Sequence, residues 1–127
     1  MRIPDGLYFS REHEWVKVEG GLARVGITDY AQDELGDVVY VELPEPESAF
    51  QAGDTFGVVE SVKAASDLYA PVSGKVVDVN GEVADDPGQI NEDAYGSWLI
   101  VLEMSDSSEL DELLSPADYE KWCAEEG

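Results

Sequence analysis

The sequence holds one cysteine, Cys123, one histidine, His13, and only seven lysines and arginines. Each shortage excludes something. A single cysteine cannot build an intrachain disulfide framework. Cys123 and His13 are too few for a thiolate or imidazole zinc site, and no metal site is expected. The apolar runs are short, Trp98 to Leu102 among the longest. None approaches the roughly 20 residues a membrane-spanning helix requires. The N-terminus, Met1-Arg2-Ile3-Pro4-Asp5, carries neither an apolar signal core nor the basic character of a transit peptide. A cytoplasmic protein is the expectation. No glycine-rich phosphate loop follows a strand pattern, so that enzymatic signature is missing too.

What the chain has in excess is acid. Its 127 residues include 29 acidic side chains, for a formal net charge of −22. Such a surface repels nucleic acid and anionic membranes at long range. The hydrophobic fraction, 43%, is too high for a disordered acidic chain, so the acid must coat a folded core. The excess reads as adaptation to a saline cytoplasm, as in halophiles. At roughly 1 M salt the Debye length falls to about 3 Å and the self-repulsion is screened. An acidic docking face for basic partners is compatible with that reading. The carboxylates are so numerous that no pair of them stands out as a general acid and base.

The length suits one domain, residues 1–127. Tyr8-Phe9 starts a short strand. His13 to Glu19 and Leu22 to Ile27 alternate around Gly20-Gly21, the pattern of a β-hairpin. Thr28 caps a short helix through Leu35, with Gly36 as its stop. Val38 to Leu43 is a strand. Thr55 to Ser61 and Ala64 to Tyr69 form a second hairpin. Lys75 to Val79 is a strand closed by an Asn80-Gly81 turn, and Trp98 to Met104 is the last strand. Ser108 precedes a short helix, Glu109 to Leu114. Ser115-Pro116 opens another, to about Glu125, with Tyr119, Trp122 and Cys123 on one face. Cys123 reads as a packed small hydrophobe and His13 as a surface or packing residue. The pattern predicts a small barrel or sandwich of antiparallel strands with helical additions at the end.

One place breaks a local rule. A tight hairpin turn wants Asn, Asp or Gly at its centre, because φ is positive there. The second hairpin offers Val62-Lys63 instead. A broken rule at one turn, beside rules obeyed at Gly20-Gly21 and Asn80-Gly81, marks a candidate functional site. The chain has four lysines, and Lys17, Lys75 and Lys121 fall within strands or a helix. Lys63 alone falls at an apex.

The segment from Gly57 through Glu60-Ser61-Val62-Lys63-Ala64 to Gly74 resembles the attachment hairpin of lipoyl- and biotinyl-carrier domains. More closely it resembles glycine cleavage H proteins. His13-Glu14-Trp15-Val16, Gly26-Ile27-Thr28-Asp29, Leu35-Gly36-Asp37-Val38, Val41-Glu42-Leu43-Pro44, Asn91 with Ala94-Tyr95-Gly96, and Trp98-Leu99-Ile100 are similar to further blocks of that family. The resemblance covers roughly residues 3 to 124. It implies an all-β fold, a flattened barrel-sandwich hybrid with short helices and a C-terminal helical segment. It implies lipoic acid in amide linkage on Lys63. Glu60 and Gly74 match positions used for recognition by the lipoate-attaching enzyme. Glu14 and Asp67 match residues lining a cleft that receives the loaded arm. Read on pattern alone, Glu14 is an exposed strand residue and Gly74 a turn former. Glu12 stands where the family often has a small hydroxyl residue.

The resemblance implies a non-catalytic lipoyl carrier with no catalytic residue of its own. Its partners would be a pyridoxal-phosphate glycine decarboxylase (P-protein), a tetrahydrofolate-dependent aminomethyltransferase (T-protein) and dihydrolipoyl dehydrogenase (L-protein). Lipoyl-Lys63 would accept the aminomethyl group from the first, present it to the second and be reoxidised by the third. The alternative is an H-like protein relaying lipoyl groups to other lipoyl domains. A lipoyl domain of a 2-oxo-acid dehydrogenase usually carries Asp-Lys-Ala at the apex, and a biotin carrier puts Met on both sides of its lysine. This chain has Val62-Lys63-Ala64. An unmodified acidic adaptor is the remaining reading, and it makes Lys63→Arg silent.

Overall fold

The computed structural model describes residues 1–126. Gly127, the last residue of the expected domain, lies outside them. Nine strands form two antiparallel sheets. The larger takes β1 (Tyr8–Phe9), β2 (Glu14–Glu19), β3 (Leu22–Ile27), β9 (Ile100–Met104), β8 (Gly74–Val79) and β5 (Ala49–Phe50), in that order. The smaller takes β4 (Val38–Glu42), β6 (Thr55–Ser61) and β7 (Ala65–Tyr69), with β6 in the middle. The expected all-β sandwich with short helices is the fold found.

Alternation along the strands dictates which side chains meet. Val16, Ala23, Val25 and Leu102 from the larger sheet face Val41, Val59 and Leu68 from the smaller, all buried in one cluster. Each valine or leucine among them removed from water contributes about 1.5–3 kcal/mol. A second cluster forms where the C-terminal helix α4 (Pro116–Glu126) packs on the other side of β1 and β2. It holds Phe9, Trp15, Leu114, Tyr119 and Cys123. Phe9 and Tyr119 stack with ring centroids 4.6 Å apart. Ser115 caps α4, accepting the Asp118 N–H on its hydroxyl. Cys123 is buried, as its helical spacing implied.

The helix α1 (Asp29–Leu35) has the expected cap and stop. Thr28 Oγ1 accepts the Ala31 N–H, and the Gly36 N–H closes onto Gln32. Other elements differ from expectation. Asn80-Gly81 is no hairpin turn; the Asn80 side chain caps a short helix, α2 (Gly81–Asp85). A further four-residue helix, α3, follows at Gln89–Glu92. The last strand begins at Ile100 rather than Trp98, because the Leu99 N–H and C=O are taken by Val25 and Asn80. The short helix before α4 is a 3-10 helix, Ser107–Glu112, capped by Asp106 rather than Ser108.

Candidate functional site: a lysine apex beside an acidic cleft

Lys63 lies at the exposed tip of the β6–β7 hairpin. The turn is not built as its residue types first imply. Positive φ among the described non-glycine residues occurs only at His13 and Glu47, so Val62 and Lys63 need none. Ser61 supplies the closure instead. Its N–H donates to the Ala64 carbonyl at 2.8 Å. Its hydroxyl oxygen accepts the N–H of Lys63 at 3.1 Å and of Ala64 at 3.2 Å. A side chain that satisfies turn amides replaces the glycine a backbone-only turn would demand.

The tip is also held from outside. The Val62 N–H donates to the Asp37 carbonyl at 3.0 Å. That carbonyl is fixed by Asn91, whose Oδ1 accepts the Val38 N–H and whose Nδ2 donates to the Gly36 carbonyl. Asn91 also donates to Gln32 on α1. One amide side chain thereby pins the end of α1, the start of β4 and, through Asp37, the base of the lysine. The aliphatic stem of Lys63 lies over Gly36, where no side chain intervenes; a Cβ there would sit 3.4 Å from Cε. Among the described residues the Lys63 ammonium makes no ion pair or hydrogen bond.

Beside the hairpin opens a cleft of ≈ 270 Å³ between α1, the start of β2 and the inner side of β6–β7. Ile27, Leu35, Val59 and Leu68 give it apolar walls. Glu12, Glu14, Glu34 and Asp67 give it acid, and His13 and Tyr30 also border it. Glu14 and Asp67 therefore border one space. Glu12, despite its departure from the small hydroxyl residue, borders the same space.

Glu14 is not an exposed strand residue. Only 2% of it is accessible. Its Oε1 accepts the Ser10 hydroxyl at 2.5 Å and its Oε2 the Tyr69 N–H at 3.3 Å. The start of β2 in the larger sheet is thus stapled to the end of β7 in the smaller. Ser10 also accepts the Glu14 N–H. Burial pushes the Glu14 carboxyl up to about 8; the two hydrogen bonds pull it down, and the charge of Glu12 adds to the rise. Asp67 by contrast is exposed at the rim.

The remaining sequence candidates lie apart from the cleft lining. Glu60 is exposed on β6, opposite Ala65 and Tyr40. Gly74 begins β8 in the larger sheet, where a Cβ would collide with the Glu103 carbonyl. It is a close-approach residue, not a turn former. His13 is half-buried; its Nδ1 lies 2.8 Å from the Tyr119 hydroxyl, and its ring stacks on Tyr30. The same hydroxyl lies 2.6 Å from Thr28 Oγ1. His13 therefore joins α4 to the head of α1. Pattern reading missed Ser10 and the clamp role of Asn91. The only sequence signal for Ser10 was its spacing, four residues before an acid.

Residues 7–126 match the family model described as Glycine cleavage H-protein. The chain belongs to that family. Its members are non-catalytic lipoyl-carrier subunits. The glycine cleavage system H protein of Carboxydothermus hydrogenoformans is 62% identical over 126 residues, 98% of this chain and 97% of that one. The one from a Thermoanaerobacter species is 56% identical over 99% of this chain and 100% of its own. The crystal structure of the Mycobacterium marinum H protein superposes with a TM-score of 0.88 at 39% identity, covering 95% of this chain and 98% of that chain. Among the described residues no helix is long and apolar enough to cross a membrane.

Proposed function

We propose that the chain carries lipoic acid on Lys63 and shuttles the aminomethyl group of glycine between the decarboxylase and the tetrahydrofolate-dependent aminomethyltransferase, with dihydrolipoyl dehydrogenase restoring the oxidised arm. The observation that carries this is an unpaired lysine on a braced apex beside a half-apolar, half-acidic cleft. The residues suit the group. Lys63 offers an exposed amine for an amide bond, and the apolar walls suit a hydrocarbon arm. The lipoyl group supplies the dithiolane chemistry; the chain supplies placement.

The hairpin projects the arm while Ser61, Asp37 and Asn91 keep its base still. Tethering turns each encounter with a docked partner into an intramolecular one. Ile27, Leu35 and Leu68 would hold the apolar length of an arm folded into the cleft, and Glu14, Asp67 and Glu12 would suit a cationic amine at its end. Glu14 is held by two donors, so its carboxylate can form without moving. Ion pairing in a half-buried cleft, away from bulk water, protects the amine from hydrolytic loss. Glu60 and Gly74 serve recognition by the attaching enzyme, Glu60 through its charge near the tip and Gly74 by keeping β8 tight against β9. The alternative, relay of lipoyl groups, uses Lys63 but gives the acidic cleft nothing to do.

The test is an intact mass after incubation with lipoate and a lipoate-attaching enzyme in high salt. One lipoyl increment on the native chain and none on Lys63→Arg is the expected result. The loaded chain should then support glycine decarboxylation. An increment that persists in Lys63→Arg overturns the assignment of the site.

A further inference from the structure

The loop from Ser10 to Glu14 links β1 to β2 and forms one wall of the cleft, with Glu12, His13 and Glu14 on its lining. Its backbone closes on itself. The His13 N–H donates to the Ser10 carbonyl at 3.1 Å, and the Ser10 N–H to the Glu14 carbonyl at 2.9 Å. That closure sets the Ser10 hydroxyl against the Glu14 carboxylate. It also places His13 at φ +68°, in the left-handed region. A residue other than glycine stays there only where its surroundings over-determine it.

Those surroundings come from α4. The Tyr119 hydroxyl lies 2.8 Å from His13 Nδ1 and 2.6 Å from Thr28 Oγ1. Three residues on, the Trp122 indole N–H donates to the Arg11 carbonyl at 3.1 Å, and the Arg11 guanidinium lies over the Trp122 ring. The helix thus grips the loop at two points. Thr28 caps α1, the opposite wall of the cleft, and its N–H donates to the His13 carbonyl at 3.0 Å. Tyr119 is fully buried and does not line the cleft. Burial pushes its hydroxyl far above the ordinary tyrosine range, so it keeps its proton. One buried hydroxyl therefore joins both walls from behind.

We propose that Tyr119 and Trp122 are positioning residues for the cleft: they hold the Ser10–Glu14 loop in the shape that keeps the Glu14 carboxyl buried, and Tyr119 fixes the opposite wall through Thr28. The depth of the cleft is then set by a helix on the far side of β1 and β2. The inference needs no group on Lys63. Only its bearing on a cargo rests on the carrier reading: a loosened loop would admit water to the amine.

The test uses the unloaded chain. Tyr119→Phe keeps the ring that stacks on Phe9 and removes only the hydroxyl. Hydrogen exchange at the Tyr69 N–H, which donates to Glu14 from 55 residues away, should speed about tenfold or more relative to the β3–β9 amides, which report global opening. The Glu14 carboxyl, followed by carbon NMR, should titrate at least about one pH unit below its native value of about 8. Burial is the largest cause of that raised value, so its loss outweighs the loss of the Ser10 bond. The titratable groups sharing the cleft with Glu14 are Glu12 and His13 on its loop, Tyr30 and Glu34 on α1, and Asp67 on β7. His13, the single histidine, is read separately on its ring protons. Trp122→Phe should shift both readouts the same way by less. Leu114→Ala loosens the same cluster without removing a polar side chain, and should lower stability with both readouts native. Native readouts in Tyr119→Phe overturn the proposal. Equal shifts in Leu114→Ala overturn it too, since packing alone would then explain them. If Tyr119→Phe does not fold, Trp122→Phe decides: native exchange and titration overturn the proposal. The carrier reading fails separately, by the absence of a lipoyl increment on the native chain, whatever these readouts are.

Discussion

The two longest hairpins solve the same problem differently. β2–β3 reverses at Gly20-Gly21, where Gly20 has φ +63° and nothing within 4 Å of where a Cβ would sit. β6–β7 reverses at Val62-Lys63 with no positive φ, closed by the Ser61 hydroxyl and tied to Asp37. The first turn is cheap in backbone terms, and its tie to the rest of the sheet is a backbone one, the Met104 N–H donating to the Gly21 carbonyl at 3.0 Å. The second borrows its stability from α1, β4 and Asn91. The difference teaches why the sequence breaks the turn rule there. A glycine apex reverses the chain but leaves the tip loose. A side-chain closure fixes the tip and frees both central positions for the residues that function needs.

The comparison breaks most completely at the lysines. Lys63→Arg should abolish lipoylation, while Lys17→Arg in the first hairpin should leave the mass increment intact. Intact-mass spectrometry reads both.

Glu14 gives the next largest effect. Unfolded, its carboxyl titrates near the ordinary 4.5; folded, near 8. Between those values the folded chain holds one proton more, so stability falls as pH rises from 4.5 to about 8. The slope from this group approaches about 1.4 kcal/mol per pH unit. Glu14→Gln should remove that slope in urea titrations across the range. It should also speed hydrolytic loss of the cargo, as should Asp67→Ala, with lipoylation intact. Unchanged loss rates in both would sink the shielding role.

Smaller effects separate the turns themselves. Ser61→Ala strips the Lys63 and Ala64 amides of their acceptor and should cost about 1 kcal/mol. Gly20→Ala places a Cβ in the left-handed region and should cost about 1–2 kcal/mol. Only the first should slow lipoylation, because only that turn presents the lysine. Equal lipoylation rates in the two variants would show that apex rigidity is irrelevant to the attaching enzyme.

Salt gives the mildest test. The first hairpin contains an ion pair, Lys17 with Glu19 at 3.9 Å. The second carries Glu60 and Asp67 and, among the described residues, no ion pair. Raising salt from about 0.1 to 1 M shortens the Debye length from about 10 to 3 Å. The melting temperature should rise, and amide exchange should slow more in β6–β7 than in β2–β3. A melting temperature independent of salt would remove the saline reading of the −22 charge.

Much of the fold could be read from alternation and caps. The first hairpin, α1 between Thr28 and Gly36, and α4 after Ser115-Pro116 needed only local rules. β5 has two residues, too short for any period to show. The helices α2 and α3 are brief and polar, stabilised by Asn80 and by tertiary packing of Val83 and Ile90 rather than by an amphipathic stripe. At the site, physics alone reached Lys63, through the broken turn rule. Glu14 and Asp67 came from the family resemblance. The burial of Glu14 was illegible because its second donor, the Tyr69 N–H, lies 55 residues away in the chain. The outward pair Val39-Tyr40 on β4, set by an irregularity between Val38 and Tyr40, was hidden for a related reason: a bulge exists only between paired strands.

The clamp at Asn91 has a consequence for the order of events in the protein's life. Asn91 is synthesised after Lys63, yet it holds the Gly36–Val38 link whose carbonyl steadies the tip. A nascent chain that ends before it displays the lysine without its brace. An excised hairpin peptide does the same. An attaching enzyme that reads the braced shape would therefore read completed folding, and a lipoyl group on Lys63, as proposed above, would be a stamp that this chain has reached its native state.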